Sequence, residues 1–137
     1  MSLPSLNPRT DAQLVGLGLL FMRVSAALLM FSAHGLPKLL NWSAELQRIE
    51  DPLGLGPHVT LLAALFAQVL CPALIALGIA CRLACLPILF LLLVALLLVH
   101  PDWTLEQSQF GWLFVILFGG LLITGPGPLV VRLSRRS

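Results

Sequence analysis

Charge is what this chain has least of. Only 10% of its 137 residues are Asp, Glu, Lys or Arg, against about 25% in an ordinary soluble domain. So small a polar inventory cannot cover a water-facing exterior, which excludes a soluble globular protein. Tyrosine is missing, and the three cysteines form no C-x-x-C pair. That odd number offers neither a disulfide framework nor a redox dithiol motif. Cys71, Cys81 and Cys85 are expected to act as small apolar residues in packed helices. Catalytic triads, phosphate-binding loops and haem, flavin or iron–sulfur motifs are absent. The basic tail "RLSRRS" fits anionic lipid and topology rather than nucleic acid.

What fills the chain is apolar: 58% of residues, with a mean hydropathy of +0.99. Four runs, at about residues 14–33, 59–80, 83–99 and 110–124, approach or reach the length that crosses a hydrocarbon core of about 30 Å. Backbone groups in lipid must bond internally, so each run predicts a helix. The expected fold is all-α, an integral membrane four-helix bundle forming a single domain over residues 1–137. The start, "MSLPSLNPRTDAQ", lacks the pattern of a cleaved secretory signal, so the first span is expected to stay in the mature chain.

Only the link after the first span is long enough to hold structure of its own. Within it, "LLNWSAELQRIE" places Leu39, Leu40, Trp42, Leu46 and Ile49 among polar residues, which predicts a short amphipathic helix in the membrane interface. "DPLGLGPH" then turns the chain into span two. Arg9, Arg82, Arg132, Arg135 and Arg136 fall on one side of the bundle, with Asp11 the single acid there. Lys38 and Arg48 on the other side are offset by Glu45, Glu50, Asp51, Asp102 and Glu106. The excess of Lys and Arg puts both termini in the cytoplasm, and Trp42, Trp103 and Trp112 then form an outer interfacial belt.

Arg23 interrupts span one near its middle, at a cost of at least about 2.5–3.5 kcal/mol. At 100° per residue, Met30 and His34 come within about 20° of its direction. Ala26 and Ala27 flank the same stripe, which is therefore expected to face the bundle interior. Gln68 lies near the middle of span two, and its amide oxygen can accept from a guanidinium. The two are expected to meet at similar depth in a polar pocket. No carboxylate lies within any span. The charge of Arg23 must then be met by Gln68, backbone carbonyls near Pro72, water or a ligand. The residues alone leave two readings open: a buried arginine that pins helix packing, or a charge held for a ligand oxygen such as that of a quinone.

His34, His58 and His100 end or begin spans on the expected outer side. Were they to converge above Met30, they would make candidate ligands for copper or a similar metal. Their spacing matches no metal motif, so no metal site is assigned.

The order of short motifs carries a resemblance. An Arg in the first span is followed by "HGLPKL" (34–39), "ALGIACRLA" (76–84) and "GPGPL" (125–129). This arrangement, over about residues 14–129, resembles the DoxX family of small bacterial membrane proteins. The resemblance implies a four-helix protein of the bacterial inner membrane. Its named example is the membrane subunit of a thiosulfate:quinone oxidoreductase, and other members are linked to redox homeostasis or metal-handling peptide systems. Arg23, His34, Gly35, Lys38, Gly78, Arg82, Gly125 and Gly127 match the family pattern. Two positions depart from it: Gln68 stands where the family usually has Glu, and "LVVRLSRR" follows the glycine-proline turn where an acid is usual.

The resemblance makes the chain a membrane subunit of a quinone-linked redox system. Arg23, Gln68, His34, Met30 and His100 would face the quinone, and electrons would come from a partner protein. The alternative is a non-catalytic scaffold for a partner enzyme or a metal-peptide pathway, as a hetero- or homo-oligomer.

Overall fold

The computed structural model describes residues 7–131 and is helical wherever it is regular. Helix α1 spans Pro8–Leu40, α2 Trp42–Arg48, α3 Pro57–Leu77, α4 Cys81–Val99 and α5 Leu105–Thr124. All but α2 are long and apolar enough to cross a membrane. The expected four-span, all-α architecture is therefore present. The tail arginines Arg132, Arg135 and Arg136, on which the expected topology partly rests, lie outside the described residues.

Local chemistry sets the ends. Pro8 begins α1, where a missing N–H costs nothing, and Asn7 Oδ1 accepts from Arg9 N–H at 3.1 Å. Thr104 and Gln107 close a capping box on α5: Gln107 N–H donates to Thr104 Oγ1, and Thr104 N–H to Gln107 Oε1. Before α3, both oxygens of Asp51 are used. Oδ1 accepts from Leu55 N–H and the Thr60 hydroxyl, each at 2.9 Å, and Oδ2 from Gly56 N–H at 2.8 Å. These bonds hold the Asp51 carboxyl below the usual carboxylate range, the Gly56 N–H contributing most.

Helix α1 is longer than the apolar run at both ends. Polar residues 8–13 extend its start, and its far end continues through "HGLPKLL" to Leu40 despite Pro37. The helix accommodates that proline by widening into a π turn over Phe31–Gly35, with Leu36 N–H donating to Phe31 C=O. The same device recurs at Phe66–Leu70, where Cys71 N–H reaches Phe66 C=O, and at Ala95–Val99, where His100 N–H reaches Ala95 C=O. Each closing donor is the residue just before a proline: Pro37, Pro72 and Pro101. A proline ring collides with the carbonyl four residues back, and one extra residue in the turn moves that carbonyl aside. Pro87 lies within α4 without such a turn.

The helices pack through small and medium side chains, as helices in lipid do. Ala26, Ala27 and Met30 of α1 meet Cys71 and Ile75 of α3, Cys81, Ala84, Cys85 and Ile88 of α4, and Phe114, Phe118 and Leu121 of α5. Phe21, Phe90, Phe110, Ile116 and Ile123 point outward, where lipid replaces a second protein layer. The α3–α4 turn is tight, with Gly78 (φ 78°) and Ala80 (φ 47°) both left-handed. The end of the bundle holding this turn and the end of α5 is called the floor below. Helix α2 packs on the opposite end, where Glu45 and Arg48 form an exposed ion pair.

Candidate functional site

Arg23 is 1% exposed and its charge is met by backbone. Nη1 donates to Pro126 C=O at 2.6 Å, while Nη2 donates to Leu129 C=O at 2.7 Å and Ala76 C=O at 3.3 Å. Two of these carbonyls belong to "GPGPL" (125–129), which folds back from the end of α5 onto α1 and α3. Gly125 (φ 74°) and Gly127 (φ 80°) make that reversal in backbone conformations that other residues rarely hold. The intervening prolines carry no N–H to compete for the carbonyls. Val131 N–H then donates to Leu77 C=O at 2.9 Å, tying the segment to α3. Arg82, exposed on α4, donates to Ile123 C=O at 3.2 Å at the end of α5.

This geometry corrects the expected Arg23–Gln68 pocket. Arg23 sits level with Ala76, near the floor end of α3. Gln68 is eight residues earlier in α3, which is about 12 Å of helix rise away from the floor. Sequence position within the first apolar run misjudged the depth of Arg23, because α3 and α5 end beside it. The carbonyls near Pro72, also expected as partners, are not those used.

Gln68 instead packs against the π turn of α1. A Cβ on Gly35 would fall on the Gln68 carbonyl and meet Val69 Cγ2 at 3.0 Å. Only glycine lets the two widened turns touch. Gln68 is 7% exposed, and its Oε1 has no hydrogen-bond partner. A buried amide oxygen without a donor is costly, at about 1–3 kcal/mol.

The other expected ligand-facing residues scatter around this point. Met30 is a core side chain at 1% exposure. His34, on the π turn, meets the Phe114 ring edge-on at 5.8 Å. Lys38 Nζ donates back to His34 C=O at 3.3 Å, closing the far end of α1. His100 stacks on Trp103 at 3.8 Å, in the α4–α5 link. His58 lies exposed at the start of α3. Among the described residues, no three His, Cys, Asp or Glu side chains are grouped to hold a metal, His34, His58 and His100 included.

A quinone at an Arg23–Gln68 pocket does not fit this arrangement: the guanidinium is committed to three carbonyls and the amide lies about 12 Å of rise away. The carbonyls of Ala76, Pro126 and Leu129 are what residue-by-residue reading missed. "GPGPL" itself was the available signal, because prolines alternating with glycines leave carbonyls without helical partners.

Comparison with known proteins agrees with these motifs. The DoxX family model matches residues 18–101, more than half of the chain, so the protein belongs to the DoxX family. The matched region holds Arg23, "HGLPKL" and Arg82, and stops before α5 and "GPGPL". No curated protein and no solved structure matches the chain.

Proposed function

We propose that this DoxX-family chain is a non-catalytic membrane subunit, one that holds a partner enzyme at the bilayer. The observation that carries this reading is the state of Arg23. Its charge is spent on three backbone carbonyls, where it fastens the segment after α5 to α1 and α3. An arginine so engaged pins the fold: three of its five N–H donors are held by backbone carbonyls of α3 and of the segment after α5. The test is mild extraction of the native protein followed by mass analysis of the intact complex. A partner enzyme should travel with the chain, and Arg23→Gln should release it through loss of stability. An isolated monomer from native membranes would refute the reading.

A quinone-linked role retains one supporting observation, the unpartnered Oε1 of Gln68. A quinol hydroxyl could donate there, with His34 nearby on the adjoining π turn and electrons passing to or from a partner protein. Quinone retained through purification by the wild-type chain and lost in Gln68→Leu would favour this role over pure scaffolding. In a bacterium, both readings put the chain in the inner membrane with its termini in the cytoplasm, as the Lys and Arg distribution predicts.

A further inference from the structure

Arg82 is the one charged side chain lining a cleft of about 690 Å³ at the floor, between the α3–α4 turn and the end of α5. The other walls are Thr124 and small or apolar residues, and no carboxylate lines the cleft. The guanidinium lies against Gly125, where a Cβ would meet Arg82 Nε at 3.2 Å and Nη2 at 3.5 Å. Of its five N–H donors, one is used among the described residues, on Ile123 C=O at 3.2 Å. The one ion pair among the described residues joins Glu45 and Arg48 at the opposite end of the bundle. Arg82 is thus an exposed cation with most of its fork unused and no acid in its cleft.

Two further observations select the anion. First, more positive charge is delivered to the same end. Val131 N–H is fastened to Leu77 C=O beside the α3–α4 turn, and Arg132, Arg135 and Arg136 come within the next five residues, a reach of at most about 18 Å. Second, the cleft opens onto an apolar track. Leu83 lines the cleft and is 68% exposed, and Leu86, Phe90, Leu93 and Leu97 are exposed above it on α4. These five recur every three or four residues, so they form one stripe rising from the cleft along the helix. A soluble phosphate has no use for that stripe, whereas an amphiphile with an anionic head does.

We propose that the floor cleft is a docking site for one anionic phospholipid. The Arg82 fork takes the phosphate oxygens of the headgroup, a pairing whose geometry suits guanidinium. The arginines after Val131 add the charge that favours a net-negative lipid over a zwitterionic one. An acyl chain lies along the α4 stripe. Bound there, the lipid joins α4 to the chain that leaves "GPGPL", and so braces from outside the segment that Arg23 holds from within. This site is independent of whether the chain is a scaffold or binds quinone.

The test is native mass spectrometry of the full chain in mild detergent, titrated with phosphatidylglycerol and with phosphatidylcholine of the same acyl chains. One phosphatidylglycerol should bind ahead of all others, about tenfold more tightly than phosphatidylcholine. Arg82→Gln should weaken it about fivefold, the worth of one arginine at an anionic surface, while Arg48→Gln at the opposite end should leave it unchanged. The Arg135→Gln, Arg136→Gln chain alters no bond described above and should lose at least as much, which keeps the test decisive if Arg82→Gln does not fold. Equal binding of the two lipids, a preference that survives the floor substitutions, an equal loss in Arg48→Gln, or displacement by inorganic phosphate at the lipid's own concentration would overturn the proposal.

Discussion

Arg23 and Gln68 are both polar, both more than nine-tenths buried, and both set in apolar helices. Around Arg23 the chain brings three carbonyls, one from α3 and two from the turn after α5. Around Gln68 it brings Gly35 against the backbone carbonyl, and leaves the side-chain amide oxygen without a donor. The more expensive group has three hydrogen bonds, although its Nε, like the Gln68 Oε1, has no partner. In this bundle, the charge marks where the segment after α5 is fastened to α1 and α3.

The comparison breaks most directly at Arg23. Hydrogen bonds to charged groups are worth about 1.5–3 kcal/mol each, so Arg23→Leu should be the most damaging single change. Thermal melts in detergent should show loss of the folded bundle, and Arg23→Lys should recover part of it. A melting curve unchanged in Arg23→Leu would show that the carbonyl cradle fastens nothing.

Gly35→Ala comes next. Its Cβ must push the Gln68 carbonyl away, at about 1–3 kcal/mol for a forced backbone shift. A cysteine pair across the widened turns, one on each helix, should cross-link less readily in that background. Wild-type stability and cross-linking would mean that the two turns yield freely.

Gln68→Leu should behave in the opposite sense. It removes an unsatisfied acceptor, so stability should hold or rise by about 1 kcal/mol. A clear loss would reveal a hydrogen bond to Oε1 and bring Gln68 closer to Arg23 in kind.

The smallest effect belongs to Asp51, a third polar group that is well satisfied but lies outside the spans. Its folded carboxyl titrates below the usual range, chiefly through the Gly56 N–H. The stabilisation is therefore present above the unfolded carboxylate pKa and is lost as pH falls through the lower, folded one. Hydrogen-exchange protection at Leu55 and Gly56, taken relative to the intrinsic rate at each pH, should fall in acid, and Asp51→Asn should lower it at neutral pH and flatten the acid dependence.

Much of this was legible in residues alone. The apolar runs mark the four spans, because lipid permits little besides helices. The stripe of Arg23, Ala26, Ala27 and Met30 faces the interior as helical periodicity predicts, and all four are buried. His34 extends that stripe by counting, but it lies within the π turn, and its ring meets Phe114 edge-on while remaining exposed. The turn itself is foreshadowed by Pro37, as the other two are by Pro72 and Pro101. The sequence offered no comparable sign of depth. Arg23 looks central in its own helix, but its level in the bundle depends on where α3 and α5 stop beside it.

By itself, then, the sequence determined the number of spans, the inward face of α1 and the membrane setting, since all three follow from side-chain hydrophobicity and a period of 3.6 residues. Only the tertiary structure decided what neutralises Arg23. Every residue carries a carbonyl, so residue identity does not mark the ones that will be used. Those of Pro126 and Leu129 become partners because the chain reverses at Gly125 and Gly127 and lays them over α1, where a buried cation has no water to turn to.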